Sequence, residues 1–315
     1  MVQPSQNKNS VPITIKDADS NLKPFLKWAG GKSGLLNEIM SQLPEKIKHG
    51  TIFNYIEPFI GSGAVLFRIL QLYGKQLNKV IISDINDKLI NVYRVTRDFP
   101  SGLTEKLEIL KKEYLSLTGT ERKIFYYEKR DEYNKISSEE NNIDRAALFI
   151  LLNKLCYNGL YRENSSGDFN VPYGKYKNPQ IFDKKLIFSI SKAIEKVDIL
   201  NTDYENTLKL IDDKLTLYYL DPPYKPISNT STFNSYSKFN FNDKEQERLK
   251  LFCDKLTKRN IHFILSNSDL KNTDSENHYF DNLYRDYKIK RVSARRSINC
   301  NASERGEIRE LLISN

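Results

Sequence analysis

FNYIEPFIGSGAVLFRILQLYGKQLNKVIISDINDKLINVYRVTRD, residues 53–98, sets the fold class by its alternation. An apolar strand-like run (FNYIEPF) is followed by a helical one (GAVLFRILQLYG). A second strand (KVIISD) and an amphipathic helical segment (INDKLINVYRVTRD) come next. Strand, helix, strand, helix is the grammar of a parallel sheet with crossover helices. Between the first strand and its helix stand Gly61 and Gly63, which permit a tight turn and close backbone approach to a ligand. Asp84 ends the second strand, 23 positions after Gly61, where an acidic side chain in such sheets accepts hydrogen bonds from ribose hydroxyls. Leu66 occupies the place of the third glycine of a dinucleotide fingerprint, so NAD is disfavoured and another adenosine-containing cofactor is expected.

Outward from this unit, residues 1–22 lack sustained apolar periodicity and are expected to form a loose tail. The alternation stops near Pro100. A charged helical region is expected over Leu103–Asn134 and another over Asp144–Leu155, leading into the turn-rich CYNGLYRENSSGDFNVPYGKYKNP at 156–179. Strand signals return in VDILNTD and LTLYYLDPPY. After them come a helix from Asp243 to about Arg259, the strand HFILSNSD, and terminal strands near YKIKRVS and IRELLIS. The expectation is an α/β chain with a mostly parallel, doubly wound sheet. A catalytic domain of residues 23–100 and 197–315 is interrupted by a helical, loop-rich domain at 101–196.

Of the 315 residues, 39% are hydrophobic, enough for a full core, and the longest apolar run is far short of the roughly 20 residues that span a bilayer. No secretory signal opens the chain, so a cytoplasmic location without a membrane partner is expected. The net charge of +9 suits a polyanionic partner, since each cation set on a phosphate releases counterions. Cys156, Cys253 and Cys300 are odd in number and lack metal-ligand spacing, so no metal site and no disulfide framework are expected.

The chemistry-bearing segment is Asp221-Pro222-Pro223-Tyr224, placed directly after the apolar Leu217–Leu220 and therefore at the carboxyl end of a strand. Two prolines remove two backbone donors, leaving the Asp221 carboxylate and the Pro222 carbonyl as acceptors. Such a turn can accept both hydrogens of an exocyclic amine, with the Tyr224 ring available for stacking; it can also be no more than a rigid exit from the strand. Gly30-Gly31-Lys32-Ser33 ends like a phosphate-binding loop. Leu26 stands where that motif needs its first glycine, which argues against an ATPase.

Together these residues resemble the Dam-type family of DNA adenine-N6 methyltransferases. The matching pieces are FLKWAGGKSGLL, EPFIGSGAV, SDIND, the 156–179 stretch, LDPPY and the late SINCNASERGEIRELL. The resemblance implies a Rossmann-like sheet binding S-adenosylmethionine, a target-recognition insertion, and methyl transfer to an adenine flipped out of duplex DNA. It implies that Trp28, Lys32, Asp84 and Asp221 line the cofactor site, with Ala29, Glu57, Phe59, Gly61 and Asp203 as neighbours. Asp221, Pro222 and Tyr224 carry catalysis in that reading. Tyr157, Asn158, Leu160 and Arg162, then Pro172, Lys175 and Tyr176, match the DNA-contacting loop, and Lys27 matches a base-reading lysine. With Arg162 and Lys27 both retained, a GATC target is implied, or a related longer palindrome such as GATATC. A paired restriction endonuclease is an admissible partner.

Other readings stay open on residues alone. Trp28 can be an ordinary core aromatic, CYNGLYR a helix-ending turn, and 228–241 either a mobile lid or a surface loop. An RNA or protein-amide methyltransferase, or a DNA-binding module without catalysis, would share parts of the pattern. Lys175, where relatives carry arginine, trades a planar fork for a point charge.

Overall fold

The computed structural model describes residues 22–137, 142–212, 214–225, 241–295 and 307–315. Among these residues, seven strands form one sheet: β1 (Phe53–Glu57), β2 (Leu77–Asp84), β3 (Asp198–Asn201), β4 (Thr216–Leu220), β5 (His262–Ser268), β6 (Lys288–Arg295) and β7 (Glu307–Ser314). Their order across the sheet is β3-β2-β1-β4-β5-β7-β6. β1 to β5 run parallel, while β7 inserts antiparallel between β5 and β6. The α/β architecture expected from the sequence is therefore present, with an antiparallel edge.

The helices are α1 (Leu36–Ser41), α2 (Glu45–Lys48), α3 (Ala64–Tyr73), α4 (Asp87–Asp98), α5 (Pro100–Ser116), α6 (Gly119–Lys135), α7 (Ile143–Leu155), α8 (Lys184–Ala193), α9 (Asp243–Lys258) and α10 (Tyr279–Leu283). Every residue of β1 and β4 is buried, because both faces of the sheet centre are covered. That explains why these segments read as near-continuous apolar runs rather than alternating ones. The chain leaves β1 toward β2 and β3, then returns to the other side of β1 as β4. The crevice between the carboxyl ends of β1 and β4 is the topological switch point, where open α/β sheets bind their ligands.

The helical region expected over Leu103–Asn134 is two helices instead of one. Thr118 is extended (φ −132°, ψ 156°) and starts α6 through a capping box with Glu121, which satisfies amides that a continuous helix would have used internally. α7 is buried nearly all round and packs against α4, α5 and α6. Its amino end is fastened to α4 by a reciprocal amide pair, Asn91 Nδ2 to the Asn142 carbonyl (3.0 Å) and Asn142 N–H to Asn91 Oδ1 (2.9 Å). Buried Arg145 adds an ion pair with Asp87 (3.0 Å). One contiguous apolar core consequently runs from the sheet into the insertion.

Of the tail expected at 1–22, only Leu22 is described; it is buried, and its carbonyl accepts from Gln71 Nε2 (3.1 Å). Most of the loop at 228–241, residues 297–306 of the late motif, and Cys300 lie outside the described residues. No described helix is long and apolar enough to cross a membrane.

Candidate active site

Glu57 ends β1 and Asp221 follows β4, so adjacent parallel strands deliver both carboxylates to the switch point. Lys32, 3% exposed, joins the amino-terminal glycine turn to the Asp221 turn: its Nζ lies 2.9 Å from Asp221 Oδ1 and also donates to the Gly30 carbonyl. The Asp221 carboxylate is thus not the unshared acceptor expected from the sequence. A buried anion beside a second carboxyl needs a counter-charge, and Lys32 supplies it. The same ammonium sits 4.6 Å from the centre of the Tyr224 ring. Pro222 is buried and Pro223 exposed.

Burial pushes the Asp221 carboxyl up to about 6, with Lys32 opposing the shift and Glu310 reinforcing it. Burial also pushes Glu57 to about 8, against a hydrogen bond from the Tyr55 hydroxyl (2.6 Å) and with the Asp221 charge adding to the rise. Glu57 is accordingly mostly neutral at pH 7 while Asp221 is mostly ionised. The two carboxyls are distinguished by Lys32, whose ion pair is with Asp221.

The glycine turn requires its glycines. Gly61 has φ +46°, and a Cβ there would lie 2.9 Å from Trp28 Cδ1; Gly63 has φ +73°, and its Cβ would lie 2.7 Å from the Tyr93 hydroxyl. That hydroxyl donates to the Gly61 carbonyl (2.9 Å), fixing the turn. Trp28 is half-buried over Gly61 and stacks on Tyr161 (centroids 5.4 Å, 22°), while Ala29 beside it is exposed. Asp84 ends β2. Burial raises its carboxyl to about 6, opposed by backbone N–H groups of Asn86 (3.0 Å), Gly61 and Ile85. Phe59 packs on Tyr204 (5.3 Å) and Phe241 (6.1 Å). Asp203, just past β3, caps the following turn through the Glu205 amide and pairs with Arg248 (2.6 Å).

The two halves of the 156–176 loop pair with each other. Tyr157 N–H donates to the Pro172 carbonyl (2.8 Å), Gly174 N–H to Leu155 (2.8 Å), and Asn170 N–H to Arg162 (3.0 Å). Tyr157 is exposed at the base of the loop, where α7 ends, and Asn158 and Gly159 both have positive φ (54° and 62°), the conformation an Asn-Gly pair adopts at least cost. Leu160 packs partly into the core, whereas Lys175, exposed, also has positive φ (54°). Arg162 is held by Asn170, with Nε donating to Oδ1 at 2.7 Å. Lys27 lies over the Tyr176 ring (4.2 Å) and against Gly159, where a Cβ would meet Lys27 Cδ at 2.3 Å. Lys27 and Tyr176 therefore join Tyr157–Gly159 at the base of the loop, and the Pro172 carbonyl holds the Tyr157 amide there.

The chain's similarity to known proteins can be set beside this geometry. The family model of D12 class N6 adenine-specific DNA methyltransferases matches residues 28–298. The chain belongs to that family. The type II methyltransferase M.MjaIII of Methanocaldococcus jannaschii is 49% identical over 295 residues, covering 93% of this chain and 99% of that protein. The type II methyltransferase M1.LlaDCHI of Lactococcus lactis subsp. cremoris is 37% identical, covering 94% and 96%. The DNA adenine methylase of Escherichia coli K12 is 32% identical, covering 92% and 94%.

Several side chains that hold this methyltransferase site together escaped the sequence reading. Asn153, buried in α7, accepts from the Lys27 N–H (2.8 Å) and donates to its carbonyl (2.7 Å), so the Lys27 segment is pinned to the helix that leads into the loop. A lone amide inside the apolar RAALFILLNKL was the available signal. Tyr126 donates to the Val171 carbonyl (2.7 Å), Tyr114 and Tyr173 share a hydrogen bond (2.7 Å), and Asn134 brackets Phe169 from both sides (3.1 and 2.9 Å). These residues explain what α5 and α6 are for: they brace the loop. Lys88 of α4 pairs with Glu163 (2.6 Å), which also accepts from Tyr161, the partner of Trp28. Glu310 of β7 accepts a hydrogen bond from Tyr224 (2.7 Å), and no local sequence signal linked them.

Proposed function

We propose that this adenine-specific DNA methyltransferase transfers a methyl group from S-adenosylmethionine to the N6 nitrogen of an adenine rotated out of duplex DNA, at GATC or a longer palindrome that contains or resembles it. The observation that carries the reading is the ion pair between Lys32 and Asp221 (2.9 Å), which brings the WAGGK turn and the DPPY turn to one crevice at the sheet switch point.

The residues fit the cofactor. The turn at Gly61 leaves room for Trp28 where a Cβ would not, and a carboxyl stands at the end of β2 where ribose hydroxyls are accepted. In this reading Trp28, Ala29, Lys32, Gly61 and Glu57 surround the amino-acid and sulfonium side, Asp84 takes the ribose, and Phe59 and Asp203 flank the adenine. S-Adenosylmethionine, when bound, supplies an electrophilic methyl group.

An exocyclic amine is a weak nucleophile because its lone pair is delocalised into the ring. The Asp221 carboxylate and the Pro222 carbonyl accept its two hydrogens, turning the lone pair out of the ring plane and toward the methyl donor. A carboxylate has about four lone-pair sites, so pairing with Lys32 leaves capacity for the amine. Positive charge growing on nitrogen, as its bond to the methyl carbon forms and the methyl–sulfur bond breaks, would be met by acceptors already in place. One amine proton would then leave along its hydrogen bond, giving neutral N6-methyladenine and a thioether, while the Tyr224 ring stacks the base. Extrusion costs a few kcal/mol, which contacts from Lys27, Tyr157, Asn158, Leu160, Arg162, Pro172, Lys175 and Tyr176 offset. Residues 101–196 serve as the target-recognition domain, acting in the cytoplasm. Two relatives are type II methyltransferases, which favours a partner endonuclease with the same target.

The test is direct. DNA lacking N6-methyladenine, incubated with the protein and S-adenosylmethionine and then sequenced for modified bases, should carry N6-methyladenine at GATC or within a longer palindrome of that type. Methylation confined to unrelated sequences rejects the specificity, and methylation of cytosine rejects the acceptor. Arg162→Ala should relax discrimination at one base pair by about 1–3 kcal/mol, the worth of a bidentate contact to guanine.

The pH profile offers a second check. Asp221 and Asp84 are both raised to about 6 in the free protein, so both acceptors gain a proton as pH falls through that value. The kcat/KM for S-adenosylmethionine, which reports the free enzyme, should fall below about pH 6 with a slope steeper than one. A level profile down to pH 5 counts against ionised acceptors.

A further inference from the structure

The antiparallel strand β7 enters the sheet beside β5, and its register sets Glu310 opposite Ser268 on one side and Val292 on the other. Ser268 is the last residue of β5, so Glu310 arrives at the same carboxyl-end rim as the Asp221 turn. Ser268 Oγ donates to the Lys225 carbonyl (3.3 Å), tying that rim to the residue after Tyr224. From there Glu310 Oε2 accepts the Tyr224 hydroxyl hydrogen at 2.7 Å.

Tyr224 is thus held at its far end by Glu310, and the Lys32 ammonium lies 4.6 Å from its ring centre. An aromatic side chain has two free torsions. The hydroxyl oxygen lies on the Cβ–Cγ axis, so a bond to it fixes the first torsion directly; the second follows because a phenolic O–H lies in the plane of its ring, so the direction of the Glu310 acceptor favours one rotation of that ring. A platform for a rotated base gains from this, because stacking falls off quickly as ring planes depart from the base.

We infer that Glu310 is a positioning residue for base stacking: its carboxylate holds the Tyr224 hydroxyl and so fixes the plane of the ring that receives the target adenine. The inference rests on the proposed role of Tyr224 and adds the residue that orients it. Glu310 touches neither substrate nor cofactor in this account. Its effect on the ring passes through one hydrogen bond, and its charge acts separately by helping to raise the Asp221 carboxyl, a contribution that Glu310→Gln removes while keeping the acceptor.

The consequence is non-additivity between two residues far apart in sequence. Glu310→Met keeps the side-chain volume but removes the acceptor, Tyr224→Phe removes only the hydroxyl, and Glu310→Gln retains an acceptor oxygen. Each full-length variant is assayed by single-turnover transfer of tritiated methyl to DNA lacking N6-methyladenine, with S-adenosylmethionine and DNA affinities measured in parallel. Glu310→Met and Tyr224→Phe should each slow transfer by about 10-fold, and the double variant by about 10-fold rather than about 100-fold, because both remove the same bond. Glu310→Gln should stay within about 3-fold of the parent, and both affinities within about 2-fold.

Multiplicative losses, a Glu310→Gln as slow as Glu310→Met, or a Glu310→Met at the parental rate overturns the inference. Tyr224→Ala separates this from the underlying reading. If it methylates at the parental rate, the stacking role of Tyr224 falls. If it is inactive while Glu310→Met is unimpaired, only the role of Glu310 falls. Should Glu310→Met prove unstable, Tyr224→Phe alone and combined with Glu310→Gln decides. The hydrogen-bond account requires no further loss from Glu310→Gln once the hydroxyl is gone, and a further loss rejects it.

Discussion

Asp221→Asn is expected to lower the single-turnover rate of methyl transfer by about 10^3-fold while changing DNA affinity by less than about 3-fold. Comparable losses follow removal of one preorganised group from sites that stabilise developing charge. The amide keeps one acceptor oxygen but presents N–H groups toward the adenine amine, and the negative charge facing the methylated nitrogen is gone. Lys32 also loses its ion-pair partner at 2.9 Å and becomes a buried cation beside a cationic methyl donor. S-Adenosylmethionine affinity should therefore fall as well, by a smaller factor than the rate. Quench-flow methylation with separate titrations of DNA and cofactor measures this. Equal loss of rate and DNA affinity would place Asp221 in DNA binding instead.

Gly61→Ala should weaken S-adenosylmethionine binding by about 10- to 100-fold. An alanine at φ +46° carries left-handed strain of about 1–2 kcal/mol. Its Cβ would also lie 2.9 Å from Trp28 Cδ1 and 3.2 Å from Nε1, so the indole must move off the turn. Any shift of Trp28 disturbs its stack on Tyr161, and any shift of the Gly61 backbone disturbs the bonds to Asp84 and Tyr93. Calorimetric titration of the variant with S-adenosylmethionine tests the loss. Parental affinity would mean that the cofactor does not use this turn.

The legible parts of the molecule share one property: the residues involved lie within a few positions of each other. β1, the Gly61 turn, α3 and β2 follow from local periodicity and from glycines whose backbone angles only glycine adopts cheaply. The Asp221 turn was legible because two prolines and an acid directly follow a buried apolar strand. The helical region at 103–134 was misjudged at one point. The break at Thr118 has local signals, Gly119 at φ +47° and a Thr-x-x-Glu capping box, but they stand inside a charged stretch whose helical pattern resumes at once on the far side.

The sequence by itself determined the element types, the Gly61 and Asp221 turns, and the family of the enzyme, because each is written in contiguous residues. Tertiary structure alone decided that Lys32 would neutralise Asp221, that Asn153 would pin Lys27 beside the base of the loop, and that Glu310 would reach Tyr224. Those pairings depend on strand order and on an antiparallel strand slipping between β5 and β6. Strand order is settled by how the apolar faces of the whole chain pack together, a global property that no short run of residues encodes.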